Sequence, residues 1–171
     1  LFPIFLTEHQ EVWKEWYLEE EHLLKKVMSK NERISHIGST AVYSIWAKPI
    51  IDILLEVPRE SDLLYYKDLI INSGYICMSQ TENRLSFNKG YTENGFAKRV
   101  FHLHLRYEGD NNELYFRDYL IEQPDVAKEY EELKFKLWKK YEHNRDAYTN
   151  GKTELIKKYT EKAKILYRNR Y

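Results

Sequence analysis

Two histidines separated by a single residue could share one ligand. His102 and His104 lie in the apolar run of residues 100–107, whose composition and alternation predict a strand. On a strand, residues two apart point to the same face and lie roughly 7 Å apart. Two imidazoles at that spacing could bind one metal ion or one phosphate group. The residues between and beside them are apolar and would form the opposite face, against the core.

A single carboxylate interrupts the most apolar segment of the chain. Asp52 lies within residues 50–57, a run with the length and composition of a strand that is covered on both faces. A lone buried carboxylate is costly unless it is paired, hydrogen-bonded or bound to a metal ion. Asp52 could therefore cap a neighbouring loop or hold a metal at a cleft. Glu56 shares its face but lies roughly 13 Å along the strand, which is too far for one ion.

The tripeptide Gly38-Ser39-Thr40 stands between two predicted elements and could bind phosphate. Glycine lets the backbone approach a ligand closely, and free amides at the start of a following helix favour a phosphate oxygen. The two hydroxyl groups would add donors. The same tripeptide also occurs in ordinary turns, so the motif alone leaves both interpretations open.

Several cationic side chains lie near these candidates in the sequence and could neutralise phosphates. Arg117 precedes an aspartate on a predicted helix, and because adjacent helical residues do not face each other, it could reach back to the sheet. A surface position for Arg117 is equally compatible with the pattern. The other candidates, around the two histidines, are Arg84, Lys98, Arg99 and Arg106.

Hydrophobic periodicity predicts the elements that must position these residues. Helices are expected over residues 8–30, 41–46, 62–73, 113–121, 126–143 and 153–167. Strands are expected over residues 34–37, 50–57, 75–79, 85–88 and 100–107. Ser61 is the expected N-cap of the third helix, and Gly74 is its expected stop. This order predicts an α+β protein with one domain over residues 1–171.

The charge of the whole chain is balanced, but its distribution is not. The 27 Lys and Arg residues equal the 27 Asp and Glu residues, which argues against a strongly basic nucleic-acid binder. Residues 125–171 nevertheless carry 13 Lys or Arg against 8 Asp or Glu. That excess is either a solvated lysine-rich helical surface or a basic wall that faces a polyanionic ligand.

The cysteine content and the lengths of the apolar runs restrict the setting of the protein. Cys77 is the one cysteine and has no partner for an internal disulfide, which favours a reducing cytoplasm. No apolar run approaches the roughly 20 residues of a transmembrane helix, so a membrane is not expected as a partner.

Taken together, five blocks of the sequence resemble the GrpB family. They are His36-Ile-Gly-Ser-Thr-Ala-Val42, Ala47-Lys-Pro-Ile-Ile-Asp-Ile53, Gly74-Tyr75, His102-Leu-His104 and Phe116-Arg-Asp-Tyr-Leu120. A Lys/Glu-rich helical end follows them. The resemblance implies a nucleotidyltransferase-like mixed β-sheet flanked by helices, with a helical C-terminal segment. It also implies that the strand of His102 and His104 lies next to the strand of Asp52.

Active nucleotidyltransferases, which this family resembles in fold, carry two carboxylates one residue apart on a strand after a Gly-Ser turn, and these bind divalent metal. Asp52 matches the first carboxylate, but Leu54 stands at the second position. The resemblance therefore implies a catalytic Asp52 and one Mg, Mn or Zn ion held by Asp52 and one or both histidines, and imidazole ligands favour Mn or Zn. Phosphate contacts are expected from Gly38, Ser39, Thr40, Lys48, Arg84, Arg99 and Arg117.

Three functions are compatible with these residues. The protein could transfer a nucleotidyl or phosphoryl group with one metal ion. It could instead bind a nucleotide or another phosphate-bearing small molecule without catalysis, or act as a scaffold through its aromatic-rich helices. We expect nucleotide or phosphate binding first, with metal-dependent transfer at the same site. The sequence leaves the substrate, the acceptor and the oligomeric state open.

Overall fold

The strands form where the sequence is richest in apolar and β-branched residues, and they assemble into one mixed sheet. A computed structural model describes all 171 residues of the chain. The strands are β1 (Arg33–Ile37), β2 (Ile51–Val57), β3 (Ile76–Gln80), β4 (Arg84–Thr92) and β5 (Gly95–Tyr107). Their order across the sheet is β1-β2-β5-β4-β3. Strands β2 and β5 run parallel, and every other neighbouring pair is antiparallel.

Strand β2 lies inside the sheet, between β1 and β5, which explains why its sequence is apolar on both faces. Its pairing with β5 sets Asp52 opposite His102 and Leu54 opposite His104. The apolar residues that alternate with the histidines on β5 are buried on the opposite face. The expectation that the histidine strand lies beside the Asp52 strand is therefore confirmed.

Two amphipathic helices cover the apolar face of the sheet. They are α1 (Val12–Val27) and α2 (Leu63–Asn72). Trp13 and Leu24 of α1 and Ile70 of α2 pack against the odd-numbered residues of β2 and β5, forming the largest core cluster. This core fixes the two strands, so their even-numbered residues are held on the other face of the sheet.

Four C-terminal helices lie on the side of the sheet that carries Asp52 and the histidines. They are α3 (Asn112–Glu122), α4 (Pro124–Tyr141), α5 (Arg145–Asn150) and α6 (Thr153–Leu166). Helices α3, α4 and α6 pack on one another and on Val42 and Ile45, in a second core cluster. Leu114 of α3 contacts the sheet at Leu54, but a cleft remains between the rest of the sheet face and the helices. No helix of the chain is both long enough and apolar enough to cross a membrane.

Two expectations about helix starts are wrong. Residues 41–46 do not form a helix, and one 3-10 turn covers Ser39–Ala41 instead. The backbone that follows bonds elsewhere: the Trp46 amide donates to the Glu131 side chain, and Ala47 pairs with Thr7. Helix α2 is capped by Asp62 rather than by Ser61, because the Asp62 carboxylate accepts the Leu64 amide at 2.9 Å.

The remaining differences concern element lengths. The sequence does not predict α5, since six residues are too few to show a helical period. Strands β4 and β5 extend beyond their predicted bounds and form a long hairpin with a bulge between Lys89 and Tyr91. Gly90, at φ +99°, lies in that bulge, and a Cβ there would lie 2.3 Å from the Arg99 carbonyl oxygen. Only glycine suits that position.

Candidate functional site

Gly38 brings the turn after β1 against the Asp52 carboxylate. Its backbone has φ +77° and ψ −175°, a region that essentially only glycine occupies. A Cβ built on Gly38 would lie 2.6 Å from Asp52 Oδ2. The close approach that this glycine permits is therefore to Asp52. Whether the turn also approaches a ligand stays a prediction.

The two hydroxyl groups of the turn have different roles. Thr40 is buried, and its hydroxyl donates to the Ile50 carbonyl at 3.0 Å while its oxygen lies 2.9 Å from His36 Nε2. Its one proton is used inside the protein here, although Thr40 lines the cleft, so a contact of Thr40 with a ligand stays a prediction. The Ser39 hydroxyl lines the cleft and accepts a hydrogen bond from Lys134 Nζ at 3.0 Å.

Asp52, His102 and His104 converge on the sheet side of the cleft, which we call the sheet wall. Asp52 Oδ1 lies 3.4 Å from His104 Nε2 and 3.7 Å from His102 Nδ1. The second distance is too long for a hydrogen bond. Strand alternation and the parallel register of β2 with β5 are sufficient to bring the three side chains together.

A hydrogen-bonded chain fixes the orientation of His102. Arg145 Nη2 donates to the Tyr91 hydroxyl at 2.8 Å, and that hydroxyl lies 2.8 Å from His102 Nε2. An arginine can only donate, so the network is best satisfied when Tyr91 gives its own proton to His102 Nε2. The His102 Nδ1 atom then carries the ring proton and faces Asp52.

Burial controls the charges of the sheet wall. Burial lowers the pKa of His102 to about 4, against the opposing effect of the Asp52 charge. At Asp52, burial raises the pKa, but the His104 hydrogen bond and the electrostatic attraction of His102, His104 and Lys48 outweigh it, so the pKa of Asp52 lies below its ordinary value. At neutral pH the sheet wall therefore carries an anionic Asp52 beside a neutral His102.

The residues present do not fit the pair of ions that a standard nucleotidyltransferase uses. Leu54, at the second carboxylate position, is fully buried against Ile37 and Leu114. No group of three or more His, Cys, Asp or Glu side chains is placed to hold a metal ion. Both imidazoles lie near Asp52 Oδ1. A donor set of one carboxylate and two imidazoles suits Mn or Zn better than Mg.

The opposite side of the cleft is strongly cationic. We call it the helical wall, and its cations are Lys134, Arg145, Lys152, Lys157 and Lys164, with Lys48 packed against it at Tyr148. The cleft has a volume of about 900 Å³. Eight Lys or Arg side chains line it against three Asp or Glu, and most of the cations come from α4, α5, α6 and the turn before α6. The cationic residues are Lys48, Arg84, Arg117, Lys134, Arg145, Lys152, Lys157 and Lys164, and the acidic ones are Asp52, Glu113 and Glu161.

Three lysines of the cleft are only weakly compensated. The ammonium groups of Lys48 and Lys152 lie 5.1 and 4.7 Å from the centre of the Tyr148 ring, and neither makes a hydrogen bond or an ion pair. Lys134 is almost fully buried on α4 and donates to Ser39 and to the Trp46 carbonyl, without a paired carboxylate. The three lysines repel one another in the cleft, and Lys134 lies at the Gly-Ser turn.

The pKa values of these lysines reflect that lack of compensation. Burial, followed by the charge of Lys152, lowers the pKa of Lys134 to about 7 and the pKa of Lys48 to about 8. Burial also lowers the pKa of Lys152, against the attraction of Asp52. A bound anion would counter both causes of the lowered pKa values. It would replace the water that the ammonium groups lose on burial, and it would offset their repulsion of one another.

The arginines predicted as phosphate contacts occupy different places. Arg117 and Arg84 line the cleft, but both are engaged: Arg117 donates to the His36 carbonyl at 2.9 Å, and Arg84 holds Asp110 at 2.7 and 2.6 Å. Arg99 does not line the cleft. It pairs with Glu19 and lies over the Trp16 ring on the face covered by α1, so the expectation for Arg99 is wrong. Its odd position on β5 explains this, since the histidine face is even.

Sequence reasoning missed Tyr91 and most of the helical wall. Tyr91 follows the predicted end of its strand, so nothing in the sequence suggests its contact with His102. For the helical wall a signal exists. The excess charge of residues 125–171 includes Lys157 and Lys164, which are seven residues apart and so share one face of α6, and Lys152 just before that helix. A face of that kind is compatible with solvent exposure as well, so only packing decides the matter.

Comparison with known sequences supplies a family context. The model of the family described as GrpB protein matches residues 3–162. The glutamate-rich protein GrpB of Alkalihalophilus pseudofirmus is 36% identical over 161 residues, covering 90% of this chain and 91% of the relative. The UPF0157 protein YqkA of Bacillus subtilis is also 36% identical, over 91% of this chain, but the match spans only 46% of that longer relative.

Comparison with solved structures agrees with the observed fold. The crystal structure of conserved protein GrpB from Enterococcus faecalis is similar with a TM-score of 0.78 and 32% identity, over 95% of this chain and 99% of that one. A crystal structure of the Cid1 poly(U) polymerase with Mg 3'-dATP bound is similar with a TM-score of 0.55 and 12% identity, over 79% of this chain and 43% of the polymerase. The fold is therefore α+β and nucleotidyltransferase-like.

Proposed function

The chain belongs to the GrpB family, and from that premise we propose that its cleft binds the phosphate groups of a nucleotide or of another small phosphate ester. The observation that carries this proposal is the pair of ammonium groups of Lys48 and Lys152, which both lie near the Tyr148 ring and make no hydrogen bond or ion pair. Buried cations without a counter-charge are costly in a folded protein. A bound phosphate would supply that counter-charge.

The turn and the helical wall support phosphate binding from two directions. The Ser39 hydroxyl and Lys134 Nζ are hydrogen-bonded and face the cleft together. The excess of Lys and Arg over Asp and Glu around the cleft exceeds what one phosphate group needs, so a ligand with two or three phosphates matches the site better. Asp52 alone opposes an anion on the sheet wall.

Group transfer at the same site is the second candidate. It is favoured by the convergence of Asp52 with both imidazoles, and the fold shared with the Cid1 poly(U) polymerase is compatible with it. One Mn or Zn ion held by Asp52 and His104 would serve such a reaction by orienting a phosphate oxygen. Leu54 fills the place of the second carboxylate, so the residues present do not support a two-ion transfer mechanism.

Thermal-shift and calorimetric titrations test the two candidates. The intact chain is titrated with ATP and with inorganic tripolyphosphate, first in EDTA and then with Mg, Mn or Zn. Binding in EDTA supports the phosphate site, and binding that requires Mn or Zn supports the metal-dependent transfer. If no phosphate compound binds under any condition, the proposal is wrong and a scaffold function takes its place.

The free thiol of Cys77 suits a cytoplasmic setting, which we also propose.

A further inference from the structure

A smaller apolar cavity opens beside the cleft. It has a volume of about 180 Å³ and is lined mainly by apolar side chains. Most of them come from the N-terminal segment before α1, from the turn before β2 and from the first half of β5. The principal ones are Ile4, Phe5, Pro49, Phe96 and Val100. A cavity of this size holds part of a small molecule, since whole-ligand sites usually measure about 300–1,000 Å³.

The walls of this cavity are held in place by the fold. The Ile4 amide donates to the Glu142 carbonyl at 2.9 Å. Further along the N-terminal segment, Thr7 and Ala47 exchange two backbone hydrogen bonds of 3.0 Å. The Phe2 ring packs edge-on against the Phe96 ring at 5.0 Å. The N-terminal segment is thus a fixed part of the structure, and the cavity is formed before any ligand arrives.

The apolar cavity and the phosphate cleft meet at shared residues. Lys48, Ile50 and Arg145 line both of them. The Lys48 ammonium has no acidic partner, and Arg145 is held only by the Tyr91 hydroxyl and ring. Cations at the mouth of an apolar cavity can contact a phosphate on one side and the face of an aromatic ring on the other.

We propose that the apolar cavity receives the flat heteroaromatic ring of a ligand whose phosphates lie in the cleft, so that the ligand class is a nucleoside polyphosphate. This inference rests on the proposed function, because it requires the phosphates to lie beside Lys48. A sugar phosphate or an inorganic polyphosphate would leave the cavity empty. The flanking Phe5 and Phe96 rings provide apolar and edge contacts that suit a planar ring.

The lining also predicts weak discrimination among bases. The polar side chains around the cavity are Lys48, Lys98 and Arg145, which are all donors, and no carboxylate or amide side chain lines it. Every nucleobase offers ring or carbonyl acceptors to such donors. We therefore expect ATP, CTP, GTP and UTP to bind within about tenfold of one another.

Calorimetry on the intact chain in EDTA tests this inference. The probes are the four nucleoside triphosphates and inorganic tripolyphosphate. We expect each nucleotide to bind at least tenfold more tightly than tripolyphosphate. The variant Val100→Phe, which fills the cavity from its inner wall, should remove that advantage and leave tripolyphosphate affinity within twofold. If Val100→Phe does not fold, Phe5→Ala, at a partly exposed position, serves instead and should lower the nucleotide advantage several-fold.

A matched control and the contrary outcomes make the test decisive. Tyr43→Ala removes an exposed aromatic ring that lines neither cavity, and it should change neither affinity. If tripolyphosphate binds as tightly as the nucleotides, or if both cavity variants keep the nucleotide advantage, this inference is wrong and the proposed phosphate site stands. If neither nucleotides nor tripolyphosphate bind, the proposed function fails, and this inference fails with it.

Discussion

The two walls of the cleft differ in how they are built and in the charge they carry. The sheet wall places Asp52, His102 and His104 on two adjacent strands, and at neutral pH it carries an anionic Asp52 beside a neutral His102. The helical wall collects lysines and an arginine from separate helices and is strongly positive. The sheet wall follows from local strand geometry, whereas the helical wall exists only because distant helices pack together. The positive charge of the cleft therefore resides mainly in the helical wall.

Removing the two uncompensated lysines should have the largest effect. The double variant Lys48→Met/Lys152→Met leaves no hydrogen-bond partner unsatisfied, so the fold should be kept. Each charge-assisted contact with phosphate is worth about 1.5–3 kcal/mol, and tripolyphosphate affinity should therefore fall at least a hundredfold, or about 2.7 kcal/mol. Isothermal calorimetry at pH 7 measures this loss.

A matched double variant on the same layer serves as the control. Lys139→Met/Lys140→Met removes two charges from the exposed end of α4, and Lys140 lies over a tyrosine ring as Lys48 and Lys152 do. It should change affinity by no more than about twofold, since exposed charges are screened. An equal loss from both double variants would show that total charge, rather than the helical wall, attracts the anion.

The same contrast explains how far the sequence predicts this site. His102 and His104 could be placed on one face, because strand alternation is strict, and the structure puts them beside Asp52. The same alternation places Arg99, at an odd position, on the face opposite the histidines, and the structure shows it there, over the Trp16 ring. The family resemblance supplied the neighbour relation of β2 and β5, which periodicity does not contain.

The helical wall could not be predicted in the same way. An amphipathic helix shows which residues are polar, but polar residues face either solvent or a cleft. Lys134 is almost fully buried, although lysine is usually exposed, because the Ser39 hydroxyl and the Trp46 carbonyl accept hydrogen bonds from its ammonium group. That arrangement depends on α4 packing over the Gly-Ser turn, which is 95 residues away from Lys134 in the sequence.

The Gly-Ser turn joins the two walls, since Gly38 lies against Asp52 and Ser39 is bonded to Lys134, and substitution of Gly38 should have the second-largest effect. Gly38→Ala places a Cβ against Asp52 in a backbone region reserved for glycine, whereas Gly74→Ala, at φ +97°, meets only the Lys89 side chain at 3.5 Å. Left-handed strain costs about 1–3 kcal/mol at either site, so the difference in unfolding free energy reports the Asp52 clash. We expect Gly38→Ala to be the less stable by about 2 kcal/mol in urea unfolding.

Equal losses from the two glycine variants would mean that Asp52 moves aside freely. In that case the sheet wall is not fixed by the turn, and the geometry around Asp52 does not limit what it can bind. The notion that one glycine couples the two walls would then be wrong.

Anion affinity should also depend on pH, through the lysines with lowered pKa values in the cleft. In the free protein the pKa of Lys48 is about 8 and that of Lys134 about 7, and a bound anion raises both. Binding therefore takes up protons, and affinity falls as pH rises; between pH 7 and pH 9 the fall is about tenfold if only Lys48 is restored to its ordinary pKa, and larger if Lys134 is restored as well. Calorimetry in buffers of different ionisation enthalpy measures the uptake directly. An affinity that stays constant from pH 7 to pH 9 would exclude Lys48 from the contact.

Neutralising the sheet wall should have the smallest effect, and its sign is informative. Asp52→Asn keeps the shape of the side chain and removes the one carboxylate of the sheet wall, which lies beside His104 and close to Lys48. If the helical wall binds phosphate without metal, tripolyphosphate affinity in EDTA should rise by about threefold, because a repelling charge of well under 1.4 kcal/mol has gone. If Asp52 instead holds a metal ion that binds the phosphate, affinity in Mn or Zn should fall sharply in the same variant. A fall in EDTA as well would mean that Asp52 orders the site through Gly38, and a melting curve would show that loss as a lower transition temperature.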